Sequence, residues 1–590
     1  MNARRILLAI LALTVLMYLP GVFRNDFVTL DDMLLITNND KVHRLNPEYI
    51  WRIFTSYDPE LYVPLTLLTY QIEYAVAGLH PFLYHLDNLL LHLGSIVLVF
   101  AVLKKLTKNE VLALFVAGIF ALHPLNVEAV SWAAARKDIL SGFLILLSLW
   151  TFMRYRETKS KQWYQWSLGI FTLALLAKVS IILIPFSLIL LDVLCGNFHK
   201  RKCLMEFGPF TGIAILFGCI AVFGKNLQLR ELGIMEQILL SAKALVFYLW
   251  KFLLPTGLTV YQPQFSPVMI TSPEFLASIV CVITVTILAV MLRKRFPLLT
   301  FGLAFAVLAI APSFLNFWKK DMLYFASDRY AYIGGIGVAL ALTTLLWPFL
   351  ERLAPRIRSI VVSVIALLLA GTTFVQAQTW RDSTALYTRA LKIHPGFAVA
   401  LNNLGAATYT AGDTAGAISL YEEAIARDPT LTSGYVNIAL YRKKAGDIEG
   451  AMTIIQTGLA KIPADRPAFE EEVSAWNILG VLLDDRGRRE EALAAYRKAV
   501  ERAPESPDAH YNLAVTLQKY RILPEARKSF TAYLKILPRD IDARYRLAAV
   551  EAEMGLLPEA AKNLRGVLAN DPDYEKAAEH LERIEGLMEE

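Results

Sequence analysis

Charge and cysteine are what this chain has least of. Of its 590 residues, 19% are Asp, Glu, Lys or Arg and 4 are cysteine. A soluble globular chain usually carries about 25% charged residues. Cys195, Cys203, Cys219 and Cys281 lie in or beside apolar segments, which excludes a disulfide framework. A hydrophobic fraction of 55% and a mean hydropathy of +0.43 exclude a disordered or collagenous chain. The composition is that of a membrane protein. No nucleic-acid-binding motif is present.

The charge that is there falls unevenly. Residues 380–590 carry a net −5 and residues 1–379 a net +11. A basic, oily first part and a mildly acidic second part imply two solvents. We therefore expect an all-α chain with a polytopic membrane domain over 1–379 and a soluble domain over 380–590.

The first stretch, Met1–Phe23, opens with Arg4 and Arg5, and Leu19-Pro20-Gly21 stands where a small-residue cleavage site would be. It reads as an uncleaved span. Further apolar stretches cover 82–103, 111–122, 139–153, 165–177, 180–195, 206–224, 273–292, 297–316, 332–350 and 357–377. Several are shorter than the roughly 20 residues of a full crossing. Taken as about eleven crossings with a cytoplasmic N-terminus, they make every inner loop short and basic, from Lys104/Lys105/Lys108 to Arg352/Arg356/Arg358. That is the positive-inside pattern, and it puts the C-terminal domain outside the cytoplasm. Residues 236–254, with Lys243 and Lys251 in an apolar background, read as a helix in the outer interface, with a further span as the alternative.

Residues 380–590 repeat. Pro395, Pro429, Pro463, Pro504, Pro538 and Pro572 end successive units, and Ala417, Ala451, Ala492, Ala526 and Ala560 keep the register. The turn glycine recurs at Gly412, Gly446, Gly487 and Gly555, with Arg521 in the one missing place. A 34-residue period with these marks is the tetratricopeptide signature. One longer interval reads as a loop insertion near Ala464–Ser474. Such units stack into an α-solenoid with a concave groove suited to a peptide or protein.

Several polar residues stand where a lipid-facing chain should have none. Asp31 and Asp32 follow the first span in an outer loop, and paired carboxylates can divide proton transfer from positioning. His85, Asn88 and His92 share one face of an apolar helix, and polar groups inside a span face a bundle interior or a cavity. His123 and Glu128 join two spans on the outer side, with Arg136, Lys137 and Asp138 just beyond. Lys178 interrupts the apolar run 165–195, and Arg329 opens the span 332–350, with Lys319 and Lys320 nearby. Arg offers a fork and Lys a point charge to a lipid-linked phosphate. Snorkelling at the interface explains any one of these cations alone; their convergence on one side favours a site.

The runs NDFVTLDD, YVPLTLLTYQIEYAVAGLHPFLYHLDNLLLH, FALHPLNVEAVSWAAARKDILSGF, AKVSIILIP, SDRYAYIGGIG and QAQTWRDSTALYTRALKIHP, in that order, resemble one family. It is the transmembrane-and-tetratricopeptide-repeat O-mannosyltransferases, within the GT-C glycosyltransferase superfamily. The resemblance implies a polyprenyl-phosphate sugar donor and transfer at the extracytoplasmic face. It implies a general base at Asp31 or Asp32, a cation on the leaving phosphate at Arg329, and an acceptor protein received by the repeats. A divalent metal is optional in the class, and no metal ligand set is assigned here. The family's Tyr-Arg-Pro-Leu is Tyr62-Val63-Pro64-Leu65 in this chain, so that arginine is absent. The compact loops favour a bacterial inner membrane with the site and repeats on the periplasmic side; the alternative is an endoplasmic reticulum membrane with the repeats in the lumen. Two other readings compete. A membrane-anchored tetratricopeptide scaffold for envelope proteins would need none of Asp31, Asp32, His123, Glu128 or Arg329. A transporter of lipid-linked sugars would show an internal repeat among its spans, and none is visible.

Overall fold

The computed structural model describes residues 3–589 apart from 59–60, 195–197, 226–231, 316, 320–321, 464–469 and 539. Cys195, Lys320 and the first part of the expected insertion lie outside the described residues. The chain divides into two compact units, Met1–Pro395 and Gly396–Glu590.

In the first unit, 8 described helices are long and apolar enough to cross a membrane. They are Ala3–Arg24, Pro81–Thr107, Ala133–Thr158, Cys203–Gly224, Pro273–Leu292, Pro297–Leu315, Asp328–Arg352 and Pro355–Trp380. Glu110–Leu122 and Pro124–Ser131 form a further candidate, bent by 54°. The bend follows from His123-Pro124: His123 is extended and Pro124 restarts the helix at its first turn, where a missing N–H costs nothing. The stretch expected at 165–177 is a 17-residue helix, Lys161–Ala177. The stretch expected at 180–195 is broken into short turns before Ser187–Leu194.

Two helices form the middle of the bundle. Ala133–Thr158 and Asp328–Arg352 are 61% buried over their apolar windows, against 17% for Pro273–Leu292. Both carry expected site residues. The helix Pro297–Ile310 lies against Ala331–Arg352 with Gly302 facing Gly337, and a Cβ on either would meet the other's carbonyl oxygen within 2.4 Å. Small residues permit such backbone approach where lipid supplies no hydrophobic drive.

Among the described residues the fold departs from pure helix once. Gln262–Pro263, Met322–Ala326 and Trp318–Lys319 form a small antiparallel sheet with the middle segment central. Its two flanking segments, of 2 residues each, are too short to show a two-residue periodicity. It delivers the chain into Ser327-Asp328-Arg329.

In the second unit paired helices follow the repeat. Asp413 and Asp447 cap their helices by accepting from Gly416 and Gly450 N–H, as short acidic residues do at an N-cap. Gly412, Gly446, Gly487 and Gly555 have positive φ, and Arg521 takes the same conformation at φ 60°. Within the units, Gly405 faces the Tyr421 ring and Gly480 the Tyr496 ring, each too close for a Cβ. The insertion expected as a loop near Ala464–Ser474 is helical from Glu470, and Glu470–Asp485 is a 16-residue helix. Glu470, Glu471 and Glu472 in its first turn favour starting there, opposite the positive end of the helix dipole.

Candidate active site

The loop after the first helix is shaped by Asp32. Its Oδ2 accepts from Val28 N–H and its Oδ1 from Ala134 N–H, both at 2.8 Å. The residue is fully buried. Burial pushes its carboxyl up to about 7, against the pull of those two N–H groups. Asp31 faces the other way. Its carboxylate is 22% exposed and pairs with Lys137 Nζ at 2.9 Å. The adjacent carboxylates therefore do different things: one ties the loop to the central helix and the other meets a cation at a partly open position.

From Lys137 the charges continue along one helix. Asp138 accepts from Lys178 Nζ and lies 3.8 Å from Arg329 Nε. Arg329 donates to Glu128 at 2.7 Å, and Ser327 Oγ donates to the same carboxylate oxygen at 2.7 Å. Arg329 Nε, Asp138 Oδ2 and Glu128 Oε2 have no hydrogen-bond partner among the described residues. Trp132 lies beneath, with Arg329 4.6 Å and Lys137 5.8 Å from its ring. Lys178 lies 5.0 Å from the Tyr330 ring. Cations over aromatic faces are attracted by the ring quadrupole. Thus Asp31, Lys137, Asp138, Lys178, Arg329 and Glu128, spread over the sequence, form one connected group.

Arg136 belongs to a layer behind it. It is 1% exposed and pairs with Glu73 at 2.7 Å. It also donates to Tyr84 O at 2.7 Å and to Asn88 Oδ1. Asn88 in turn donates to Trp132 O, and Tyr70 to Ala133 O. These contacts fix the turn that holds Lys137 and the Ala134 N–H. Sequence reading did not single out Glu73. Its signal was a lone carboxylate in the apolar run PLTLLTYQIEYAVA. Burial raises its carboxyl to about 8, against the opposing pull of Arg136.

The expected helix face is present: His85, Asn88 and His92 are all buried. His92 shares a hydrogen bond with Tyr332 OH at 2.9 Å. His123 stacks on Phe252 and bonds its carbonyl. These histidines brace helices next to the charged group. Among the described residues no three His, Cys, Asp or Glu side chains converge as metal ligands. Asp31, Asp138 and Glu128 each face a cationic side chain.

Residues 63–224 match the family model for dolichyl-phosphate-mannose-protein mannosyltransferase. Residues 368–431 and 482–519 match tetratricopeptide-repeat models. Protein O-mannosyl-transferase TMTC1 of Homo sapiens is 24% identical over 481 residues, covering 64% of this chain and 54% of the relative. The Mus musculus protein of that name is 31% identical over 202 residues, 31% of this chain and 21% of its own. Protein O-mannosyl-transferase TMTC4 of Homo sapiens is 28% identical over 234 residues, 33% of this chain and 32% of its own. The chain spans about half the length, or less, of these relatives. A crystal structure of YrrB, titled a TPR protein with an unusual peptide-binding site, aligns at a TM-score of 0.27 and 19% identity, over 33% of this chain and 96% of that one.

Proposed function

We propose that this chain moves mannose or another hexose from a polyprenyl-phosphate donor to an acceptor hydroxyl, that of a protein Ser or Thr. In this reading Asp31 is the general base. The acceptor oxygen attacks the anomeric carbon and gives its proton to the Asp31 carboxylate. The bond from that carbon to the phosphate oxygen breaks, and polyprenyl phosphate leaves with the electron pair. Negative charge grows on the phosphate, where cations fixed beforehand do most to stabilise it. Lys137, Lys178 and Arg329 are such cations, each held by a carboxylate and an aromatic ring. The observation that carries the reading is the 2.9 Å pairing of a partly exposed Asp31 with Lys137, at the head of this otherwise buried group. Asp32, Arg136 and Glu128 act behind it by fixing the loop and the cations, with His85, Asn88, His92 and His123 in support.

The rest of the architecture follows from the same reading. The membrane domain has eleven crossings, with Glu110–Leu122, Lys161–Ala177 and residues 179–194 as short spans. A 17-residue helix is about 26 Å long, close to the hydrocarbon thickness of about 30 Å. The site and the repeats lie on the extracytoplasmic side, of a bacterial inner membrane or of the endoplasmic reticulum, and the repeat groove receives the acceptor protein.

The test is intact-mass proteomics of envelope proteins from cells with and without the chain. A hexose-sized mass present only with the chain is the expected result. Identical proteomes would favour the scaffold reading.

A further inference from the structure

The transfer chemistry above makes no use of the segment Trp380–Ile393, yet this segment grips the loop that carries Asp31. Tyr387 is fully buried, and its hydroxyl donates to Thr29 O at 2.7 Å. Thr29 Oγ1 lies 3.2 Å from the same hydroxyl. Ser383 Oγ accepts from Thr29 N–H at 2.9 Å and from Thr29 Oγ1 at 3.2 Å. Asp26 N–H donates to Arg381 O at 2.8 Å. Trp380 stacks on Trp132 at 5.4 Å, the ring that underlies Arg329 and Lys137. One short stretch therefore holds both the backbone two residues before Asp31 and the platform under the cations.

Residues 25–28 form no regular element; Asp32 ties the loop to Val28 and Ala134, Phe27 meets the Tyr84 ring and Asp31 pairs with Lys137. A base must sit within hydrogen-bond reach of the proton it takes, and a misplacement of about 1 Å costs on the order of 100-fold in rate. We infer that Tyr387 and Ser383 are positioning residues that set where the Asp31 carboxylate stands through hydrogen bonds to Thr29. The inference rests on the proposal that Asp31 is the base. It extends the site past the last apolar helix into the first helix of the repeat-like sequence, Ser383–Ile393.

Tyr387→Phe removes one hydroxyl and leaves the ring; Ser383→Ala removes the acceptor of the Thr29 N–H. Full-length protein in detergent micelles is compared by hydrogen exchange over residues 25–32, with Arg497→Ala as a surface control. Each variant is expected to exchange faster at Thr29 and Asp26 while melting at the wild-type temperature. With a polyprenyl-phosphate mannose donor and envelope protein as acceptor, kcat is expected to fall about tenfold or more, with donor KM within about twofold. Wild-type exchange over 25–32 in both variants overturns the inference whatever the transfer assay gives, and so does a raised donor KM at unchanged kcat. Wild-type protein that exchanges as expected but moves no sugar from this donor would count against the proposed function, and against Asp31 as the group being positioned, while the grip on the loop would stand.

Discussion

The first unit holds arginine–glutamate pairs with both partners buried, whereas among the described residues of the second the arginine of each such pair is at least 20% exposed. In the first, Arg329–Glu128 and Arg136–Glu73 have side chains no more than 4% exposed. In the second, Arg497–Glu525 and Arg521–Glu553 have side chains at least 41% exposed. Exposed pairs contribute about 0–1 kcal/mol, so these two add little to the repeat unit, although Glu472 and Glu551, paired with Arg502 and Arg527, are buried there. Breaking a buried pair costs about 3–5 kcal/mol because the other charge is left without a partner. A fold keeps such a group where its position matters, and here it underlies the proposed phosphate site.

The comparison can be broken most directly at Arg329. Arg329→Ala strands Glu128 and should destabilise the first unit by about 3–5 kcal/mol, read as a lowered unfolding midpoint in detergent. A loss below about 1 kcal/mol would make this pair equivalent to a surface pair.

The next effect is a pH dependence specific to the first unit. Asp32 has a carboxyl raised from 3.8 to about 7. Between those values the folded protein holds a proton that the unfolded chain has released. Stability therefore falls as pH rises through the window, and Asp32→Asn should flatten that slope. Thermal midpoints of the two proteins from about pH 4 to pH 7 would show it.

The repeat unit is sensitive to shape instead. A Cβ at Gly480 would lie 2.6 Å from the Tyr496 ring, so Gly480→Ala should cost about 1–3 kcal/mol by overpacking. Denaturant unfolding of the full chain measures it. The smallest effect is at Arg521, which holds a glycine-favoured φ of 60° and a mostly exposed pair with Glu553. Arg521→Gly should be stabilising by up to about 1 kcal/mol, since strain in that region is of this order.

What the sequence discloses is what local pattern encodes. Proline spacing and turn glycines mark the repeats, including the odd place at Arg521, whose backbone repeats the glycine conformation. Helical spacing places His85, Asn88 and His92 on one buried face. Asp31, Lys137, Asp138, Lys178, Arg329 and Glu128 meet as alternating charges, since charge inside an apolar bundle is tolerable only beside its opposite. Long-range partners are not legible in this way. Glu73 pairs with Arg136, and Tyr387 reaches Thr29 across 358 positions, through contacts that no period or spacing announces. The sheet around Met322–Ala326 escaped for a related reason: its two flanking segments are 2 residues each.

The paired aspartates give the most direct test of the central claim, that one is a base and the other a clamp. Sugar transfer to envelope protein is measured in membranes holding equal amounts of wild type, Asp31→Asn and Asp32→Asn. Asp31→Asn should lose about 100-fold or more of the rate while inserting normally, and Asp32→Asn should keep a reduced but measurable rate. Full activity in Asp31→Asn, above all beside an inactive Asp32→Asn, would contradict the assignment.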